Sequence, residues 1–189
     1  MNQPTFFEDI YLLNASAYLP GEPVSNDRID DYIAPLNNSA RIKRRILQEN
    51  GIQQRHYAIN PQGKTIVSHT DMACHAINSC LQQAKLSTAD IDLLTAASSG
   101  GDVLMPGLAN MVQGQLHAPP METHSHHGIC ASAVLALKDA AQNLTQNDAQ
   151  QHAISVAAEM PSRMFKRERF ASQGYSTCLL YTSPSPRDS

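Results

Sequence analysis

Nowhere in the 189 residues is there an apolar run approaching the roughly 20 needed to cross a bilayer. Residues 1–9 carry neither a basic stretch nor an apolar one, so no secretory leader is expected. Charge of one sign is not in excess. The net charge is -3, with 16% charged residues, which gives no reason to expect nucleic acid as a partner. No glycine-rich phosphate-binding fingerprint is present, and no repeat at solenoid spacing. Cysteine is scarce. Cys74, Cys80, Cys130 and Cys178 show no paired spacing, which suits a reducing cytoplasm better than a disulfide framework. These absences exclude a membrane span, a disulfide scaffold and a dinucleotide-binding loop. The 42% hydrophobic content fits an ordinary soluble domain, long enough for one core.

The elements alternate. Residues 10–18 read as a strand ending in the turn Leu19, Pro20, Gly21. Asn26 is placed to cap a short helix bearing Ile29, Tyr32 and Ile33. Residues 41–48 form a helix stopped at Gly51, and residues 54–59 run extended into the turn Asn60, Pro61, Gln62, Gly63. Ser68 and Asp71 make a capping box for a helix with Met72, Ala73, Ala76, Ile77, Cys80, Leu81 and Ala84 on one face. Cys74 and His75 in that helix are packing or surface residues. Residues 91–97 are an apolar strand, and Pro106 is expected in the first turn of a helix carrying Leu108, Val112 and Leu116. Residues 121–127 are extended. The helix after Cys130 is apolar nearly all round, so it is expected to be central and buried. Residues 153–158 are a final strand. Such alternation predicts an α/β layer with a largely parallel sheet.

Cys130 lies at a strand-to-helix turn, in the run Gly128, Ile129, Cys130, Ala131, Ser132. Functional loops in parallel sheets collect at the carboxyl ends of the strands, and Cys130 follows the strand that ends near His127. The free N–H groups and dipole of a helix N-terminus favour an anion, so this is a good place for a thiolate nucleophile. The alternative is a buried structural cysteine. The tail, residues 176–189, has two prolines in three residues and no helical period. It resembles non-native sequence and is set aside from fold reasoning.

Several pieces in order resemble the 3-oxoacyl-[acyl-carrier-protein] synthase III (beta-ketoacyl-ACP synthase III) family. Tyr18, Leu19, Pro20, Val24 and Asn26 match its opening. Gly51, Ile52 and Arg55 match a G-I-x-x-R segment. Asp90 to Leu94 leads into a serine-rich loop and Pro106; Cys130, Ala131 and Ser132 match the nucleophile motif; Ala153 to Glu159 follows. The resemblance implies a thiolase-like α/β fold, with residues 1–175 as its N-terminal half: one βαβαβ half of a five-layer αβαβα architecture. It also implies that the partner catalytic His and Asn belong to the other half, so none of the eight histidines here takes that role.

The activity so implied is condensation. Cys130 accepts an acyl group from a thioester, and a malonyl thioester then loses carbon dioxide and attacks it to give a 3-oxoacyl product. This serves fatty acid or polyketide-type biosynthesis. No cofactor is implied; the substrates are acyl-CoA or acyl-carrier protein and malonyl-carrier protein. A chain holding one half is expected not to condense. The family also implies a cytoplasmic homodimer in which Met105 lines the partner's acyl pocket; the alternative is a core methionine. Relatives that use coenzyme A carry Arg where this chain has Glu49, which favours a carrier-bound primer. Two basic clusters, Arg41, Lys43, Arg44 and Arg45, then Arg163, Lys166, Arg167 and Arg169, would steer an acidic acyl carrier protein, unless they are simply solvated faces.

Two other readings compete. His124, His126, His127 and Cys130 contain good zinc ligands, but their spacing fits no common module, and His127 should point away from the other two; no metal is expected. A non-catalytic thiolase-like partner subunit is the second, and the presence of Cys130 argues against it. Thiolase and hydroxymethylglutaryl-CoA synthase stand nearby.

Overall fold

The computed structural model describes residue 7, residues 9–33 and residues 40–164, with the side chains of 163 and 164 excepted. Among these residues the elements are, in chain order, β1 (Val24–Ser25), α1 (Ile29–Tyr32), α2 (Ala40–Asn50), β2 (Gln54–Arg55), α3 (His69–Ala84), β3 (Leu93–Ala97), α4 (Leu108–Gln115), β4 (Glu122–His126), α5 (Ser132–Gln146), β5 (Ala153–Ala157) and α6 (Pro161–Met164). Among the described residues they fall into two compact units rather than the one core expected: those up to 18 with 68–159, and those of 19–67 with 160–164. No helix among the described residues is long and apolar enough to cross a membrane.

The larger unit is built on a three-stranded parallel sheet in the order β4, β3, β5. All five residues of β3 are buried. Their side chains alternate between two faces. Leu94 and Ala96 join Ala73, Ile77 and Leu81 of α3 and Ala109 and Val112 of α4 in one apolar cluster. On the opposite face the Thr95 hydroxyl donates to the Ala136 carbonyl of α5 at 3.0 Å. The result is a helix–sheet–helix sandwich. Burying a side chain the size of Leu94 contributes about 2 kcal/mol.

Local chemistry sets the ends of α3. Ser68 accepts from the Asp71 N–H at 2.9 Å while Asp71 accepts from the Ser68 N–H at 3.3 Å, the expected reciprocal cap. Three expectations need correction. Residues 10–18 form no strand. Both edges of β3 are taken, and this segment instead lies along α3: Asn14 donates to the Cys80 carbonyl at 3.0 Å, Ser16 donates to the Ala76 carbonyl at 2.7 Å, and Tyr18 stacks on His75 at 4.6 Å. Pro106 precedes its helix: Gly107 is the N-cap of α4, and Pro106 follows a cis bond. Most importantly, α5 is not buried all round. It packs on the sheet through the small residues Ser132, Ala136 and Ala140, while Val134, Leu135 and Leu137 are exposed.

A close approach makes Gly107 obligatory. A Cβ there would lie 2.5 Å from Ser125 Oγ of β4, which itself accepts from the Ala109 N–H at 3.0 Å. Gly107→Ala is therefore expected to cost about 2 kcal/mol, because the serine must leave the α4 N-terminus to make room. Thermal melts check this, and a melt unchanged within a degree would refute the packing.

The smaller unit packs Val24, Ile29, Ile33, Leu47, Tyr57 and Ile59 together. Strands β1 and β2 pair antiparallel. Asn26 does not cap α1 as expected. It lies in a 3-10 turn whose N-cap is Ser25, and its amide is used across the unit, donating to the Ile52 carbonyl at 2.7 Å and accepting from buried Arg55 at 2.6 Å. Gly51 leaves α2 in the left-handed region at φ 69°, which glycine adopts without steric cost. The G-I-x-x-R positions thus hold this unit together. Tyr57 stacks on Tyr32 at 4.9 Å, and burial, the leading cause, pushes its phenol up to about 12.

Candidate active site

Strands β3, β4 and β5 run parallel, so their carboxyl ends share one rim, and three loops meet there. The Ser98 N–H donates to the His126 carbonyl at 3.2 Å, tying the β3 loop to the end of β4. Glu159, just past β5, accepts from the Ser99 N–H at 2.8 Å and from its hydroxyl at 2.9 Å. Between β4 and α5 runs a 3-10 turn, Ile129–Ala131, that carries Cys130. The expectation that Cys130 itself opens the helix is off by two residues: α5 starts at Ser132.

Cys130 is exposed, which removes the buried structural reading. Gly128 stands two residues before it at φ -152°, and Ile129 adopts φ 51°, a left-handed conformation unusual for a β-branched residue. Buried Ser132 locks the turn by donating to the Ile129 carbonyl at 2.6 Å. The other thiols differ. Cys74 is buried, its Sγ lies 3.8 Å from the Val112 carbonyl, and burial followed by the Asp71 charge pushes it up to about 11. Cys80 is half-buried in α3.

Met105 is 81% exposed and Leu104 93% exposed, so the core-methionine alternative fails. The loop that bears them is anchored by Asp102. Its carboxylate caps α3, accepting from the His69 and Thr70 N–H groups at 3.1 Å each and from the Thr70 hydroxyl at 3.1 Å. Burial raises the Asp102 carboxyl, but these hydrogen bonds outweigh it and leave the group below the usual carboxylate range.

The expected basic cluster on α2 is partly neutralised. Lys43 pairs with Asp30 at 2.7 Å and Arg45 with Glu49 at 2.8 Å, while Arg41 and Arg44 are exposed. Lys43 and Arg44 help line a cleft of about 510 Å³ between α2 and the Asn26–Asp27 turn. The Arg163 side chain, Lys166, Arg167 and Arg169 lie outside the described residues, as does the tail at 176–189.

The zinc set drawn from spacing is not assembled as expected. His124 and His126 do share a face of β4, but the third group beside them is Asp139 of α5, not His127 or Cys130. Asp139 Oδ2 lies 2.6 Å from His124 Nδ1 and 2.9 Å from His126 Nε2. Burial lowers the His124 pKa, but its hydrogen bonds to Asp139 and Glu122 outweigh it and raise the imidazole above its ordinary value. Asp139 is held below its own, against burial, by its contacts with the two histidines. Sequence reading missed Asp139, although a signal existed: it is the one acid of α5 and adjoins the Ala136 and Ala140 stripe.

No family model matches the chain. A beta-ketoacyl-[acyl-carrier-protein] synthase III of Wolbachia pipientis wMel is 28% identical over 171 residues, which are 90% of this chain and 49% of that protein. The chain is a homologue of the beta-ketoacyl-[acyl-carrier-protein] synthases III. It spans about half the length of the curated relatives it matches. Its fold is thiolase-like. A variant of Xanthomonas campestris OleA superposes with a TM-score of 0.74 at 21% identity, covering 95% of this chain and 56% of that one. The 3-oxoacyl-[acyl-carrier-protein] synthase III of Aquifex aeolicus VF5 gives 0.66 at 22%, covering 79% and 44%. The synthase III resemblance read from the motifs is thereby upheld.

Proposed function

We propose that this chain contributes the nucleophile of a β-ketoacyl synthase III-like condensing enzyme. One observation carries the reading: in a homologue of that family, Cys130 is exposed on a tight turn at the carboxyl rim of a parallel sheet, immediately before a helix. The Cys130 thiolate attacks the carbonyl carbon of an acyl thioester. The C–S bond to the carrier breaks, the carrier leaves as a thiol, and the acyl group stays on the cysteine. The Cys130 N–H is the chain's own candidate donor to the tetrahedral oxyanion, worth about 3 kcal/mol when preorganised. A malonyl thioester then releases carbon dioxide, and its carbanion displaces the cysteine to give the 3-oxoacyl product. That second stage needs the His and Asn that the resemblance assigns to the other half, so this chain alone is acylated at best.

The same reading makes an acyl carrier protein the partner, with exposed Arg41 and Arg44 of α2 available to it and a lesser part for Lys43 and Arg45, which are already paired. Arg163, Lys166 and Arg167, which lie outside the described side chains, are proposed as further cations for the carrier. Glu49, engaged by Arg45, favours a carrier-bound primer over coenzyme A. The enzyme works as a cytoplasmic homodimer in which Met105, standing clear of its own fold, reaches the partner's acyl pocket. It needs no cofactor for condensation.

The test is to incubate a protein of the relatives' full length with an acyl thioester and locate the adduct by mass spectrometry. The acyl mass is expected on Cys130. An adduct on Cys74 or Cys80 instead would overturn the assignment.

A further inference from the structure

We propose that His124, His126 and Asp139 form a divalent transition-metal site, with zinc the natural occupant, on the face of the sheet that α5 covers. Each histidine offers a ring nitrogen and Asp139 a carboxylate oxygen, and the three ligand atoms lie within 4.8 Å of one another; the nitrogens nearest Asp139 are His124 Nδ1 and His126 Nε2. Imidazole and carboxylate are the donor types that select zinc and its first-row neighbours, and three protein ligands leave a fourth position open. Metal–ligand bonds of about 2.0–2.1 Å put tetrahedral ligand atoms about 3.3 Å apart. The present separations of 2.6 and 2.9 Å from Asp139 Oδ2 need to open by less than an ångström.

The surroundings are what distinguish a built site from a chance cluster. His124 Nε2 lies 2.9 Å from Glu122 Oε1. A proton on Nε2 donated to that carboxylate leaves the Nδ1 lone pair facing Asp139, as a metal requires. Glu122 is in turn fixed by Gln150, whose amide donates to Oε2 at 2.7 Å. Asn143 donates to Asp139 Oδ1 at 3.0 Å, which orients that carboxylate and leaves Oδ2 for the ion. A carboxylate behind a histidine and an amide behind a carboxylate are the supporting groups that metal ligands ordinarily have. Strand spacing places the two histidines on one side of β4, and Asp139 comes down onto them from the helix. The site departs from the zinc set inferred from spacing: Cys130 takes no part, so the sulfur stays available for acyl transfer.

Purified chain is incubated with zinc chloride, desalted, and assayed for zinc by elemental mass spectrometry; cobalt(II) then serves as a spectroscopic probe. One equivalent of zinc per chain is expected, with a cobalt spectrum in the visible lacking the near-ultraviolet thiolate band. Asp139→Asn, nearly isosteric, is expected to weaken binding more than about 10-fold, and Asn143→Ala or Glu122→Gln about 10-fold, while Cys130→Ser retains the metal. Circular dichroism confirms that each variant is folded. Zinc lost on desalting, zinc held equally by a folded Asp139→Asn variant, or a thiolate band that vanishes in Cys130→Ser would each overturn the assignment. None of those results bears on whether Cys130 is acylated.

Discussion

Replacing Cys130 by serine in a protein of the relatives' full length is expected to lower acyl transfer and condensation by at least about 1000-fold. A serine hydroxyl at neutral pH is a weak nucleophile without a base beside it, whereas a thiol supplies some thiolate of its own and greater intrinsic reactivity. The substitution leaves the fold alone, because the side chain is exposed. Stability should stay within about 0.5 kcal/mol of the parent, as for other surface changes. No other described thiol takes over: Cys74 is packed in the apolar cluster with its thiol pushed up to about 11, and Cys80 sits on α3 away from the rim loops. Steady-state turnover and mass spectrometry of the acyl-enzyme, measured together, check the point. A serine variant with undiminished turnover would end the nucleophile assignment whatever the fold.

Asp102→Ala is expected to cost about 3 kcal/mol, the largest stability loss among the changes considered, because it strips a charged cap from α3 and leaves two N–H groups and a hydroxyl without it. For a chain of this length that is a fall of roughly 6–12 °C in melting temperature. The pH dependence has a definite sign. A carboxyl whose folded value lies below its unfolded one contributes stability above the ordinary carboxylate range, and that contribution is lost as pH falls through the folded value. The parent should therefore lose stability on acidification more steeply than the alanine variant. Asp102→Asn keeps one acceptor oxygen and should fall between the two. The loop from Asp102 to Gly107 carries Met105, so the alanine variant should also be cut there sooner by a protease. A variant that melts within a degree of the parent would refute the capping role.

What the sequence made legible was local or periodic. Ser68 and Asp71 announce the start of α3 because both halves of the cap lie within one turn. The apolar run of β3 and the alternation with helices are enough for a parallel sheet, and Cys130 follows from the order of elements. Where pairing depended on distant residues, reading failed. Residues 10–18 have a strand-like pattern, but Asn14 and Ser16 bind carbonyls of a helix far along the chain, at Cys80 and Ala76. Asn26 has the right residue type for a cap and is used instead by Arg55 and Ile52. Asp139 meets His124 and His126 only through the packing of α5 on β4, which no spacing encodes. The apolar residues of α5 suggested a helix buried all round, but only its small residues Ser132, Ala136 and Ala140 meet the sheet, and Val134, Leu135 and Leu137 are exposed.

The twist at Ile129 has an evolutionary implication. A branched side chain held at φ 51° pushes back against its own carbonyls, at about 1–3 kcal/mol, and a glycine would relieve it. Relief would also let the neighbouring sulfur wander over many orientations. On the proposed role of Cys130, the sequence accepts a less stable corner in return for a reactive atom with a fixed aim, and selection for thermal robustness alone would erase it.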